Sequence, residues 1–286
     1  MSRHTLTDAE WEAIKDLAQY KPPRGPSPDP ETIRLFLDGI CWILATGAPW
    51  RDLPPEFGPW ESVYTRFRAY IKHGIFDRLL ERLQQESFEK GHLKLHLACF
   101  DGTYIRAHRH AAGARQKKTG DPQADAEASA AEQALGRSRG GFTTKIHMIC
   151  DGKGNPLLFV LTPGSTHDST AFDVLFGLFL SFAGTMKWTR RLKWIVCDKG
   201  YDCQRIFDLC KANGLEPVIP KRLSPTGKER DNPDFDKSVY RERNHVERCI
   251  GWLKENRRIA TRYEKLAATY RAMIQLGMAR RFLRAA

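Results

Sequence analysis

The chain is predicted to be a mixed α/β protein: a mixed sheet flanked by helices, preceded by a small helical domain. Three observations carry this. Residues 1–92 show apolar side chains at helical intervals, whereas from residue 93 apolar runs of strand length alternate with helical segments in the order β-β-β-α-β-α-β-α. At 286 residues the chain is long enough for two cores. The expected division is therefore a helical domain at 1–92 and a sheet-based domain at 93–286.

The elements follow in order. "LTDAEWEAIKDL" has Thr7 and Glu10 at capping-box spacing, and "ETIRLFLDGICWILATG" keeps helical periodicity until Gly47. "APWRDLPPEFGPW" is a turn punctuated by Pro and Gly, and "ESVYTRFRAYIKHGIFDRLLERLQQ" follows with Val63, Phe67, Tyr70 and Ile71 on one side. Helix, turn and helix in this order suit a DNA-binding unit, with Arg66, Arg68 and Lys72 as candidate contacts, although any small bundle has the same pattern.

"LHLACFDGTYIRA" is an apolar run that ends in Asp101 and Gly102, and "TTKIHMICDGKGNPLLFVLTPG" holds two strand runs joined by a hairpin signal. Between them, at 109–140, lies a segment rich in Ala, Gly, Ser and charge. Its composition predicts a flexible basic loop, and Arg109, Arg115, Lys117, Lys118, Arg137 and Arg139 could track a phosphate backbone. "HDSTAFDVLFGLFLSF" reads as helix, "RLKWIVCDKG" as a buried strand ending in Asp198, "CQRIFDLCKANG" as helix and "LEPVIP" as a fifth strand. A long helix is expected from Tyr240.

The net charge is +12, and it is unevenly spread: residues 1–92 carry 12 Lys and Arg against 14 Asp and Glu, residues 241–286 carry 12 against 4. A basic surplus of this kind points to a polyanionic partner, because cations that neutralise phosphates release condensed counterions. The first residues lack the apolar stretch of a secretion signal and no run reaches membrane-spanning length, so a cytoplasmic location and no membrane partner are expected. Seven cysteines without a CxxC pair argue against a disulfide framework or a zinc site.

Asp101 and Asp198 end two strands that this order of elements makes sheet neighbours, and Glu247 can join them from the last helix. Three converging carboxylates repel one another and need protons or a divalent cation. Oxygen donors without His or Cys suit Mg²⁺ or Mn²⁺, and two such ions can run a phosphodiester displacement. On an ideal helix Tyr240, Arg243, Glu247 and Lys254 fall within an arc of roughly 60°, beside an apolar stripe of Val246, Cys249, Ile250 and Leu253. Each signal alone has a plain alternative: Asp-Gly after a strand is turn chemistry, and Glu247 with Arg243 or Arg248 could be a helical ion pair.

Together these residues resemble the DDE transposases of bacterial insertion sequences, specifically the insertion sequence 5 family. Tyr240, Arg243, Glu247 and Lys254 match the signature Y-x2-R-x3-E-x6-K, and "FDGTYIRAHR", "CDKGYD" and "WRDLPPEFGPWESVYTRFRAYIKHG" resemble other family segments. The resemblance implies an RNase H-like core and a metal-binding catalytic triad of Asp101, Asp198 and Glu247 with Mg²⁺ or Mn²⁺, two ions per site. It implies recognition of double-stranded inverted-repeat DNA through Tyr240, Arg243 and Lys254. Arg248, Arg257 and Arg258 are further candidate DNA contacts, and His167, Asp168, Lys199 and Tyr201 are candidates to line or support the site, with a helix N-cap as the plainer role for Asp168. The implied activity is cleavage at element ends and transfer of the 3′-hydroxyl to target DNA by a dimer or larger assembly associated with the nucleoid. The alternatives are a nuclease that cuts without joining and a DNA-binding repressor or domesticated remnant without catalysis. Only 48 residues separate Asp198 from Glu247, which leaves no room for the large β-rich insertion of certain relatives.

Overall fold

The computed structural model describes residues 4–21, 26–114, 133–138, 141–223, 226–227, 232 and 235–284. Most of the predicted basic loop at 109–140 lies outside the described residues. The chain divides into two units, and they differ from a cut at residue 92: one contains 1–87, 106–133 and 253–286, the other 88–105 and 134–252.

The first unit is helical. Helix α1 (Asp8–Ile14) opens with the capping box: Thr7 Oγ1 accepts from the Glu10 N–H at 3.2 Å and Glu10 Oε2 accepts from the Thr7 N–H at 2.7 Å. Helix α2 (Pro30–Thr46) is capped by Asp29, starts on a proline and stops at Gly47, whose φ of 70° suits a residue without Cβ. The predicted third helical segment is two helices, α3 (Trp60–Lys72) and α4 (Ile75–Glu89), because Gly74 at φ 63° breaks the run. Ile40, Phe67 and Tyr70 are buried with Ile259, Tyr270 and Met273, residues that come from far along the chain.

The second unit holds the sheet. Strands β1 (Leu97–Ala107), β2 (Gly136–Ser138), β3 (Gly141–Asp151), β4 (Pro156–Pro163), β5 (Trp194–Val196) and β6 (Glu216–Val218) run in the order β2-β3-β1-β5-β6, with β4 also on β3. β3 pairs antiparallel with β2 and β4, whereas β5 is parallel to β1 and to β6, so the sheet is mixed as expected. Helices α5 (Asp168–Thr185) and α6 (Gln204–Ala212) are the crossovers on either side of β5. The β3–β4 turn is held by Asp151, which accepts from the N–H groups of Lys94, Lys153 and Asn155 at 2.7–2.9 Å. No run of strand-forming residues marks the short β2, nor β7 (Thr261–Arg262), which pairs in parallel with Arg106 and Ala107 at the end of β1.

The long helix expected from Tyr240 is broken. Asp236 caps a short helix α7 (Lys237–Tyr240), Arg241–Arg243 form a 3₁₀ turn, and α8 (Asn244–Lys254) follows. A 3₁₀ turn winds more tightly than an α-helix, so the phase assumed for one continuous arc does not carry across it. Two short-range ties hold this block to the sheet: Lys94 Nζ lies 3.0 Å from Glu242 Oε2, and Cys249 Sγ lies 3.8 Å from the Met148 sulfur. α9 (Arg257–Ala260) and α10 (Ala267–Leu283) belong to the helical unit.

Candidate active site

β1 and β5 are parallel neighbours with Cys99 opposite Val196, and Asp101 and Asp198 each stand two residues past that pair. Equal offsets on adjacent parallel strands bring both carboxylates to the same edge of the sheet. The Asp198 carboxylate accepts from the Gly200 N–H at 2.7 Å, which fixes the turn that follows β5. Asp101 Oδ1 accepts from the Gly102 N–H at 2.9 Å.

Glu247 lies in the first turn of α8, whose inner face buries Val246, Cys249, Ile250 and Leu253. Arg243 connects it to β1: its guanidinium is 2.6 Å from Glu247 Oε1 and 3.4 Å from Asp101 Oδ2. Thus Asp101 and Glu247 share one cation, and Asp198 is close enough to act on Asp101 through its charge. Among the described residues no three His, Cys, Asp or Glu side chains stand in an arrangement that would hold a metal ion as they are. The donor chemistry nonetheless fits a hard divalent ion: three carboxylates, with a guanidinium now supplying the countercharge.

Burial pushes the Asp101 carboxyl from 3.8 up to about 6; Arg243 and the Gly102 N–H oppose this, and Asp198 and Glu247 add to it. Folded Asp101 therefore holds a proton between pH 4 and 6 that the unfolded chain releases. Its ionisation costs stability in full above pH 6, on the order of 3 kcal/mol for a rise from 3.8 to about 6, and nothing below pH 4. Asp101→Asn, which mimics the protonated group, is expected to raise the melting temperature at pH 8 and to leave it nearly unchanged at pH 4. Thermal denaturation at the two pH values checks this, and equal effects at both would contradict the buried-carboxyl account.

The other expected residues separate. Tyr240 is half-buried; burial pushes its hydroxyl up, the Arg243 charge opposes this, and the charges of Asp198, Glu247 and Asp101 add to the rise. Tyr201 is buried, its hydroxyl among Asp168, Asp101 and Asp198 and without a hydrogen-bond partner. Asp168 is the first residue of α5, with His167 rather than Asp168 at the N-cap position, and it pairs with Lys145 at 2.7 Å. Burial works to raise the Asp168 carboxyl, but bonds from His147 and Lys145 more than offset it and hold it below its ordinary value. His167 and Lys199 are exposed. Arg248, also exposed, lies 2.9 Å from the His245 ring.

In the helical unit, Lys254 ends α8 and Arg257 is exposed, but Arg258 is a correction. It is buried, with Nε 2.6 Å from Glu264 Oε1 and a bond to the Ala48 carbonyl at 3.0 Å, so its guanidinium is committed to the interior rather than to DNA. Arg66 packs over the Phe36 ring, whereas Arg68 and Lys72 line an open groove of about 560 Å³ with Tyr64, Leu266 and Thr269. Sequence reasoning missed Lys145 and His147, both buried in β3. The available signal was two basic side chains at i and i+2 on one face of an otherwise apolar strand.

A mixed sheet with Asp101 and Asp198 at matching register on neighbouring parallel strands, and a glutamate on a packed helix, accords with an enzyme of the transposase class. Residues 93–282 match the model described as the transposase DDE domain, and the chain belongs to that family. Residues 6–80 match a second model, described as a putative transposase of the IS4/5 family. An uncharacterized protein y4sN of Sinorhizobium fredii is 38% identical over 117 residues, covering 40% of this chain and 86% of that protein. The putative transposase for insertion sequence element IS402 of Burkholderia cepacia is 30% identical over 142 residues, 49% of this chain and 62% of the relative. That for element IS6501 of Brucella ovis is 29% identical over 144 residues, half of this chain and 100% of the relative. Among solved structures, the Mos1 transposase paired-end complex with left transposon end aligns over 83% of this chain and 82% of its own, at 12% identity and a TM-score of 0.30, too low to bear on the argument. No helix among the described residues is long and apolar enough to cross a membrane.

Proposed function

We propose that this transposase binds the inverted-repeat ends of an insertion sequence, cleaves the DNA there and joins the freed 3′-hydroxyl to target DNA. The observation that supports this most is the strand register that sets Asp101 and Asp198 side by side, with Glu247 tied to Asp101 through Arg243. In this reading Asp101, Asp198 and Glu247 hold two Mg²⁺ or Mn²⁺ ions. When bound, the ions activate the attacking oxygen and stabilise the leaving one, first with water and then with the DNA hydroxyl as nucleophile.

The protein's part is to gather and orient. Arg243 cannot keep Asp101 and Glu247 while those oxygens bind a metal, so it turns to a DNA phosphate, for which a guanidinium is well shaped. Tyr240 and the exposed Arg248 extend the phosphate grip. Lys254 and Arg257 on the C-terminal helices, with Arg68 and Lys72 along their groove, serve the same end of the reaction by holding duplex DNA. Pairing of two ends before cutting calls for a dimer or larger assembly, working at the nucleoid.

The test is incubation of pre-cleaved inverted-repeat DNA with the protein, Mg²⁺ and a supercoiled plasmid. Joined products are expected. Plasmid nicking without joining would reduce the protein to a nuclease, and end binding with neither would make it a repressor or remnant.

A further inference from the structure

Lys145 and His147, on one face of β3, are 2% and 1% exposed, among the most completely buried polar side chains described. Both reach Asp168 at the start of α5: Lys145 Nζ is 2.7 Å from Oδ2 and His147 Nδ1 is 3.2 Å from Oδ1. His147 Nε2 is tied in turn to Thr162 Oγ1 at 2.9 Å, and Lys145 Nζ sits 3.3 Å from the Tyr104 hydroxyl and 4.4 Å from the centre of its ring. Desolvating these groups is costly, and apolar residues of the same volume commonly hold a core as well or better. Stability alone is therefore a poor reason for an ion pair here.

What the pair touches gives a better one. A Cβ built on Gly102 would lie 2.9 Å from Lys145 Cε and would run into the Asp168 carboxylate. The backbone at Gly102 is not left-handed, so the glycine answers to space and not to φ. The Lys145–Asp168 pair thus packs directly on the Cα of the residue that follows Asp101. The N–H of that same residue donates to Asp101 Oδ1 at 2.9 Å.

The geometry points to Lys145 and Asp168 as positioning residues for Asp101: their ion pair occupies the space over Gly102, clamps the 101–102 peptide, and through its N–H sets the direction in which the Asp101 carboxylate faces its ligands. His147 Nδ1 stands 3.2 Å from the second oxygen of Asp168 without a well-aligned hydrogen bond, so the clamp rests on Lys145. This rests on the reading of Asp101 as a metal ligand, and groups that orient a ligand typically matter by 10–100-fold in metal affinity.

The experiment titrates MnCl₂ into the full chain bound to inverted-repeat DNA and follows free Mn²⁺ by electron paramagnetic resonance, with DNA affinity and melting temperature measured in parallel. Lys145→Met and Asp168→Asn are each expected to raise the half-saturating Mn²⁺ concentration by about tenfold or more with DNA affinity unchanged. Gly102→Ala, which presses on the clamp from the other side, is expected to do the same. Should Lys145→Met fail to fold, the isosteric Asp168→Asn and Gly102→Ala decide. A lowered melting temperature with wild-type Mn²⁺ half-saturation in the folded variants would leave the pair as packing and overturn the inference. Asp101→Asn separates the two layers: if it binds Mn²⁺ as well as the wild type, Asp101 is no ligand and both readings fall; if it loses binding while the clamp variants keep it, only the inference falls.

Discussion

Asp198→Asn is expected to abolish both end cleavage and strand joining, a loss on the order of 10³-fold or more, as when one member of a set that acts as a unit is removed. Asparagine keeps the shape of the side chain and an oxygen to accept from the Gly200 N–H, so the turn after β5 stays in place. What it removes is the negative charge next to Asp101. With one carboxylate fewer, the cation-binding power of the set drops, while Arg243, Arg248 and the basic helical unit are untouched. End-DNA binding, measured by gel shift, should therefore persist where excision and joining assays show no product. Product formation near the wild-type rate would mean that the chemistry is done elsewhere in the chain.

Glu264→Gln is expected to cost about 3–5 kcal/mol, the scale for stranding one partner of a buried ion pair. Arg258 and Glu264 side chains are 6% and 2% exposed, so water cannot replace the lost partner. Their surroundings are equally committed: Glu264 Oε2 accepts from the Tyr263 N–H at 3.2 Å, and its carbonyl accepts from Arg262, a fully buried arginine. Since folded domains are stable by only about 5–15 kcal/mol, this one substitution should take the helical unit close to unfolding at working temperature. Urea denaturation measures the loss. Replacing Arg258 by Met in the same chain is expected to return part of it, because the orphaned cation is then gone. A loss below about 1 kcal/mol, the range of solvated surface pairs, would refute the burial of the pair.

Much of this was legible in the sequence where the cause is local. The capping box at Thr7, the stop at Gly47, the hairpin at Asp151 and the place of Asp198 just past β5 each depend on a few neighbouring residues, whereas β1 runs on past Asp101 to Ala107, so that acid lies within its strand and not at its end as expected. The misreadings share the opposite property. Arg258 looked like one more surface cation because its carbonyl partners, Gly47 and Ala48, are 211 and 210 residues away. Lys145 and His147 drew no expectation because their partner, Asp168, lies beyond the next strand. The helix expected from Tyr240 failed for a subtler reason: the tight turn at Arg241–Arg243 preserves helical sequence character while changing the phase by which faces are counted. The composition shift at residue 93 is real, but nothing within 253–286 tells which core those helices complete.

That return has a consequence for synthesis. The first four helices leave the ribosome before the sheet, yet Tyr270 and Met273, which complete their interior, and Gln275, which bonds Asp77 at 2.5 Å across 198 residues, emerge only after the sheet has been made. The nascent N-terminal segment must wait, with apolar faces uncovered, until those residues have been made. An mRNA broken before codon 253 would thus yield a product whose sheet could assemble but whose helical half could not, a fragment marked out for proteolysis.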